Sequence, residues 1–86
     1  MEIAVLKDEK NELELKINNL TVVEILREYL NKDSAVEFAA WRRSHPSEPA
    51  VLRIETKGKT AKKALQDSIA LIEKDSEKFL EEVKKI

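Results

Sequence analysis

Leu20-Thr21-Val22-Val23-Glu24-Ile25-Leu26-Arg27-Glu28-Tyr29-Leu30 is the stretch whose reading decides the fold. At about 100° per residue, Val22, Val23, Ile25, Leu26, Tyr29 and Leu30 fill one arc of roughly 160°. Glu24, Arg27, Glu28 and Asn31 take the opposite side, so the periodicity predicts an amphipathic helix. Its start is written locally. Thr21 is a good N-cap, and Glu24 three residues on completes a capping box, with Leu20 and Ile25 placed to close as a hydrophobic staple. A helix covering one sheet needs an apolar arc of about 100°. The surplus predicts that this helix touches something besides its own sheet.

On the N-terminal side, Ile3-Ala4-Val5-Leu6 is apolar on both faces, which predicts a short strand with neighbours above and below, or beside a partner. Lys7 to Asn11 reads as a polar turn. Leu13, Leu15 and Ile17 then alternate with Glu12, Glu14, Lys16 and Asn18, the period-two pattern of a strand with one wet face. Together these strands make a hairpin.

On the C-terminal side, the helix runs out near Asn31-Lys32-Asp33. Val36, Phe38 and Ala40 alternate with Glu37, Ala39 and Trp41, predicting a third strand that reaches about Arg43. Ser44-His45-Pro46-Ser47-Glu48-Pro49 is a loop, because its prolines remove backbone donors and force extended or turn geometry. Val51 to Thr56 is a fourth strand, with Leu52 and Ile54 on one face and Arg53 and Glu55 on the other. Lys57-Gly58-Lys59 turns the chain, and Thr60 caps a last helix from about Ala61 to Lys85. Along it Leu65, Ile69, Ile72, Ser76, Phe79, Val83 and Ile86 recur at alternating steps of four and three, a seam of the kind helices use against each other. Ala64 and Leu71 widen the apolar arc in the first half only, so the second half is expected to project past the sheet. The order ββαββα predicts an α+β fold of two layers, a four-stranded antiparallel sheet with two helices on one face, in a single domain across residues 1–86.

The totals point the same way. A chain of 86 residues buries only about 60–65% of its unfolded surface and commonly leans on disulfides, metals or a partner. There is no cysteine, which leaves partner association as the expected support and fits a reducing cytoplasm. The charged fraction is 38% with a net charge of −1, unlike the basic footprint of a dedicated nucleic-acid binder. No apolar run approaches the ~18–20 residues of a membrane span, and Met1-Glu2-Ile3 does not open a signal peptide.

Val36-Glu37-Phe38-Ala39-Ala40-Trp41-Arg42-Arg43-Ser44-His45-Pro46 resembles the third strand and His-Pro turn of the small L subunits of archaeal DNA-directed RNA polymerases. Thr21 through Leu26-Arg27 and Leu30 is similar to that family's helix-start signature, Thr-Leu-x-Asn-x-Leu-Arg. Met1-Glu2-Ile3, Ile54-Glu55-Thr56-Lys57-Gly58 and Ala64-Leu65 also fall where the family has them, so the likeness runs nearly end to end. Leu20 stands where the family has a histidine, Glu24 where it has an asparagine, and the His-Pro loop is shortened. The resemblance implies the fold of alpha-subunit dimerisation domains, with no catalytic residue, cofactor or metal of its own inside a nucleotidyltransferase complex. It further implies a heterodimer with the larger, D-type alpha-like subunit of the RNA polymerase, joined through the helices, as the platform for the large catalytic subunits. No direct contact with nucleic acid or membrane is implied. The expected partner-facing residues are Val22, Val23, Leu26, Leu30, Leu65, Ile69, Ile72 and Phe79, shared between core and partner.

Other readings are weaker. Gly58-Lys59-Thr60 looks like the tail of a phosphate loop, but Arg53 stands where the loop needs a glycine. Lys59, Lys62 and Lys63 oppose the helix macrodipole and are expected to meet acidic side chains of a large subunit. Trp41-Arg42-Arg43 offers a single aromatic for stacking on single strands, a poor platform beside the reading of a half-buried Trp with solvated neighbours. A self-associating module that uses the same helices, with nucleic acid as a candidate ligand, is the runner-up. Pterin-4a-carbinolamine dehydratases resemble this element order and carry His-His-Pro in the same hairpin. Here Ser44 replaces the first histidine and Lys57 a further one, leaving His45 alone for acid–base work. A metal site needs three or four ligands, and none clusters near His45. Glu12 and Glu14 read as solvated carboxylates.

Overall fold

The two periodicities of the sequence resolve into β1 (Ile3–Glu9), β2 (Glu12–Ile17), α1 (Leu20–Leu30), β3 (Val36–Arg42), β4 (Ala50–Thr56) and α2 (Ala61–Lys84). This computed structural model describes residues 2–85, so Met1 and the last member of the seam, Ile86, lie outside the described residues. The strands form one antiparallel sheet in the order β1-β2-β4-β3. Both helices lie on one face of it, the α+β two-layer arrangement that the element order predicts.

The central pair carries the core. Leu13 stands opposite Ile54, Leu15 opposite Leu52 and Ile17 opposite Ala50, all buried beneath the helices. The residues between them point to the other face, where charge replaces burial. There Arg53 reaches Glu14 and Glu55 at 3.0 Å each and Glu12 at 3.5 Å, and Arg42 reaches Glu14 at 3.2 Å. One face is therefore closed by helices and the other is laced with ion pairs.

Bulges in the flanking strands alter the simple alternation. In β3 the register passes from Val36 opposite Thr56 to Phe38 opposite Glu55, so Glu37 is an extra residue. Val36, Ala39 and Trp41 thereby share the helix side, and Phe38 turns to the ion-paired face, against the alternation read from sequence. The small Ala39 lies under α1, where a phenyl ring would force the layers apart. In β1 the shift falls between Val5 and Lys7. Ile3 and Val5 lie on the helix side, opposite Ile17 and Leu15, and Lys7 turns to the ion-paired side. That explains a strand apolar on both faces. β1 also runs on to Glu9, leaving Lys10-Asn11 as a tight turn in place of the longer one expected. Asn11 Nδ2 holds that turn against Thr56 Oγ1 at 3.3 Å and the Lys59 carbonyl at 3.2 Å.

The start of α1 differs from the capping-box reading. Asn19, extended at φ −128° and ψ 105°, is the N-cap, and its Oδ1 accepts from the Val22 N–H at 3.2 Å. Asparagine caps at least as well as threonine, and β2 ends only at Ile17, so the helix begins as soon as the chain has turned. Thr21 is then inside the first turn, and the staple between Leu20 and Ile25 is out of phase. Glu24, freed from capping, accepts from Arg27 Nε and Nη2 at 3.2 Å each and from the Trp41 indole N–H.

At α2 the local reading holds: Thr60 Oγ1 accepts from the Lys63 N–H at 3.1 Å. The turn before it needs its glycine, since Gly58 sits at φ +85°. The helix lays Ala61, Ala64 and Ser68 on the sheet, small side chains that let its backbone come close. Its 24 residues span about 36 Å against about 23 Å for a seven-residue strand. Beyond Asp75 every described residue is exposed, so the end of α2 overhangs the sheet.

Candidate interaction surface

Side-chain ties set where α2 lies relative to α1. The Tyr29 hydroxyl donates to Asp75 Oδ2 at 2.8 Å. Lys59 Nζ sits between Asp33 Oδ2 at 2.7 Å and Asp67 Oδ2 at 2.8 Å, and Lys63 joins Asp67 at 2.9 Å. The Lys59 ammonium, then the Ala35 N–H, holds the Asp33 carboxyl below the usual carboxylate range. Lys59, then Lys63, does the same to Asp67. Lys62 meets Asp8 at 3.1 Å. Within this chain Lys59, Lys62 and Lys63 each have an acidic partner, and Lys62 and Lys63 stay mostly exposed.

With α2 so placed, the expected partner-facing residues fall into separate sets. Val23 and Leu30 are fully buried and Leu26 is 6% exposed, so their side chains are spent on this chain's own core. Val22, Leu65 and Ile72 are half-buried against that core. Ile69 at 40% and Phe79 at 68% exposure stand free. Which residues of the apolar arc of α1 face the core was open in the sequence; here Val23, Leu26 and Leu30 join Leu15, Ile17 and Leu52 in one buried cluster.

Ile3, Val5 and Ile25, with Leu80 and Val83 further along α2, are exposed as well. Ile3 is 52% exposed on β1, an edge strand of the sheet. Ile3, Val22, Ile25, Leu26, Ile69 and Ile72 line one groove of about 300 Å³ between β1 and the helix pair. The sequence signal for it was already present, in the two-faced apolar run of β1 and the excess arc of α1. Large exposed apolar patches commonly mark interaction sites.

The polar candidates are pinned elsewhere. Trp41 is half-buried, with its N–H on Glu24 and the Arg43 guanidinium 5.8 Å from its ring centre, while Arg42 pairs with Glu14. Arg27, then the Trp41 N–H, keeps the Glu24 carboxyl below its ordinary range. Glu12 is held low by Lys7. His45 Nδ1 lies 2.7 Å from Ser47 Oγ in an exposed loop. Among the described residues no three histidine, aspartate or glutamate side chains converge on a metal-sized site, and no helix is long and apolar enough to cross a membrane.

The chain and its fold have known counterparts. Residues 10–82 match the model of the RNA polymerase Rpb3/Rpb11 dimerisation domain. The DNA-directed RNA polymerase subunit Rpo11 of Sulfurisphaera tokodaii is 42% identical, the alignment covering all of this chain and 97% of that one. Its namesake from Sulfolobus acidocaldarius is 40% identical over the full length of both. The crystal structure of the DNA-directed RNA polymerase L subunit from Thermoplasma acidophilum superposes with a TM-score of 0.86, over 98% of this chain and 86% of the other. At 23% identity that likeness speaks for the fold. Matched along most of its length by the family model and end to end by these relatives, the chain belongs to the RNA polymerase Rpb3/Rpb11 dimerisation domain family.

Proposed function

We propose that this chain is the L-type assembly subunit of an archaeal DNA-directed RNA polymerase, and that all of residues 1–86 act as one dimerisation domain. It pairs with the larger, D-type alpha-like subunit, and the pair is the platform on which the large catalytic subunits assemble in the cytoplasm. The chain brings no catalytic residue to that complex; its contribution is association free energy. The observation that carries this reading is the exposed apolar face of α2, with Ile69 and Phe79 standing free beside the groove of Ile3, Val22 and Ile25. The full-length agreement with Rpo11 subunits of Sulfolobales supports it.

Co-expression with the D-type subunit from the same organism tests the proposal. A one-to-one complex in analytical ultracentrifugation is the expected result, and affinity capture from native cells should return the large polymerase subunits. A cooperatively melting monomer at nanomolar concentration that ignores the D-type subunit would overturn it. The dehydratase alternative, short of imidazoles at Ser44 and Lys57, predicts turnover of the carbinolamine, and we expect none.

A further inference from the structure

The α2 seam has charge written along both flanks. With Ile69, Ser76 and Val83 in one row and Leu65, Ile72 and Phe79 in the other, the flanking positions fall on Gln66, Glu73 and Leu80, and on Ser68, Asp75 and Glu82. Every charge there is acidic. The lysines of the same stretch, Lys74, Lys78, Lys84 and Lys85, lie off the seam.

The recesses beside the helix repeat the pattern. Glu73 is the charged residue lining the groove of about 300 Å³ between β1 and the helices. On the other side Asp75 lines a recess of about 350 Å³ with Tyr29, Ser76, Phe79 and Leu80. Among the described residues the ion pairs that involve α2 are those of Asp67 with Lys59 and Lys63, Lys62 with Asp8, and Glu82 with Lys85 at 3.8 Å, and Glu73 takes part in none of these.

Laid antiparallel along the seam, a second copy of this chain would set Glu73 against Glu73 and Asp75 against Asp75; laid parallel, it would set Ser68 against Glu73 and Asp75 against Leu80, with no basic partner for any acid. Flanking charges of this sort select partners by repulsion as much as by attraction. We infer that the α2 seam accepts an amphipathic helix whose apolar stripe is flanked by lysine or arginine, and that its acidic flanks turn away a second copy of this chain laid antiparallel. This deepens the polymerase reading and rests on it, since it gives the chemistry expected of the partner's helix.

The probe is a pair of helical peptides with one shared leucine seam, flanked by lysine in one and by glutamate in the other, titrated onto the full chain by fluorescence anisotropy. The lysine peptide is expected to bind about tenfold more tightly at low salt, since each exposed pair contributes modestly. The preference should shrink towards parity at molar salt, where the screening length falls to about 3 Å. Glu73→Gln combined with Glu82→Gln, at exposed positions, should remove most of it while leaving the thermal melt unchanged. Equal binding of the two peptides, binding of neither, or a preference that survives the double substitution would overturn the inference. If the D-type subunit co-purifies while the peptides show no preference, only this inference fails. If the preference holds and the D-type subunit stays unbound, the polymerase reading fails instead.

Discussion

The Tyr29 hydroxyl and the Asp75 carboxylate meet at 2.8 Å, joining α1 to α2 at the last half-buried position of α2. From Ser76 onward every described residue is exposed. Tyr29→Phe removes the donor and keeps the ring. Amide exchange should therefore quicken from about Asp75 onward, while the β4 amides around Leu52 and Ile54 stay protected. Hydrogen exchange read by mass spectrometry checks this.

The same bond has a signature in alkali. Asp75 accepts a hydrogen bond from the Tyr29 hydroxyl and so pushes the phenol above its ordinary value. A raised folded-state value means that the contribution is fully present below the unfolded phenol's value of about 10, and is lost as pH rises through the folded value. Melting temperature should fall through that alkaline window in the native chain, and fall less steeply in Tyr29→Phe.

Acid acts on the other tie. Asp33 and Asp67 are both held below the usual carboxylate range, chiefly by Lys59. Depressed folded-state values give a contribution present above the unfolded carboxylate value of about 4 and lost as pH falls through the folded ones. The native chain should lose stability on acidification below about pH 4. Lys59→Met should flatten that limb and lower stability at neutral pH. Denaturant titrations across the acid range measure both.

Small side chains set the distance between α2 and the sheet. Ala64 is fully shielded at the contact, so Ala64→Leu must push the helix outward or adopt poor rotamers, at a cost of about 1–3 kcal/mol. In a domain of this size that lowers the melting temperature by roughly 4–8 °C per kcal/mol. Leu71→Ala, on the exposed side of the same helix, should change stability by no more than about 0.5 kcal/mol. Differential scanning calorimetry separates the two.

How much of this was legible in the sequence follows from the range of the forces involved. Period-two alternation in Leu13-Leu15-Ile17 and Leu52-Ile54 is local, and it gave the central strands and their buried face. Thr60 as a cap and Gly58 as a turn residue are equally local. The bulges at Leu6 and Glu37 were not legible, because what flips Phe38 to the ion-paired face is the fit of Ala39 and Trp41 under α1, a contact across layers. Glu24 shows the same limit. Its spacing from Thr21 fits a capping box, but Asn19 already occupies the cap, and the carboxylate finds Trp41, distant in sequence. For the interaction surface, amphipathicity told that helix surface was in excess and left open which residues sank into the core. That division was decided by the small footprint of Ala61, Ala64 and Ser68, which lets α2 lie low and leaves Ile69 and Phe79 outside.

The division between core and free surface gives the most direct mutational test. Leu26 and Phe79 both belong to the apolar helix surface, yet Leu26 is nearly closed off and Phe79 stands in solvent. Leu26→Asp sets an unpaired carboxylate among Leu15, Ile17 and Leu52, and the chain should fail to fold whatever its partner. The milder Leu26→Ala should cost about 2–5 kcal/mol. Phe79→Asp removes no buried contact, so its stability should stay within about 0.5 kcal/mol of the native chain. If the proposed pairing with a D-type subunit runs through α2, that pairing should nevertheless drop sharply, because aromatic side chains in a desolvated contact dominate association. Thermal melts alongside co-purification separate the two substitutions. If Phe79→Asp lost stability and kept the D-type subunit, the overhanging half of α2 would be a structural strut and the contact with that partner would have to lie on the β1 side of the groove.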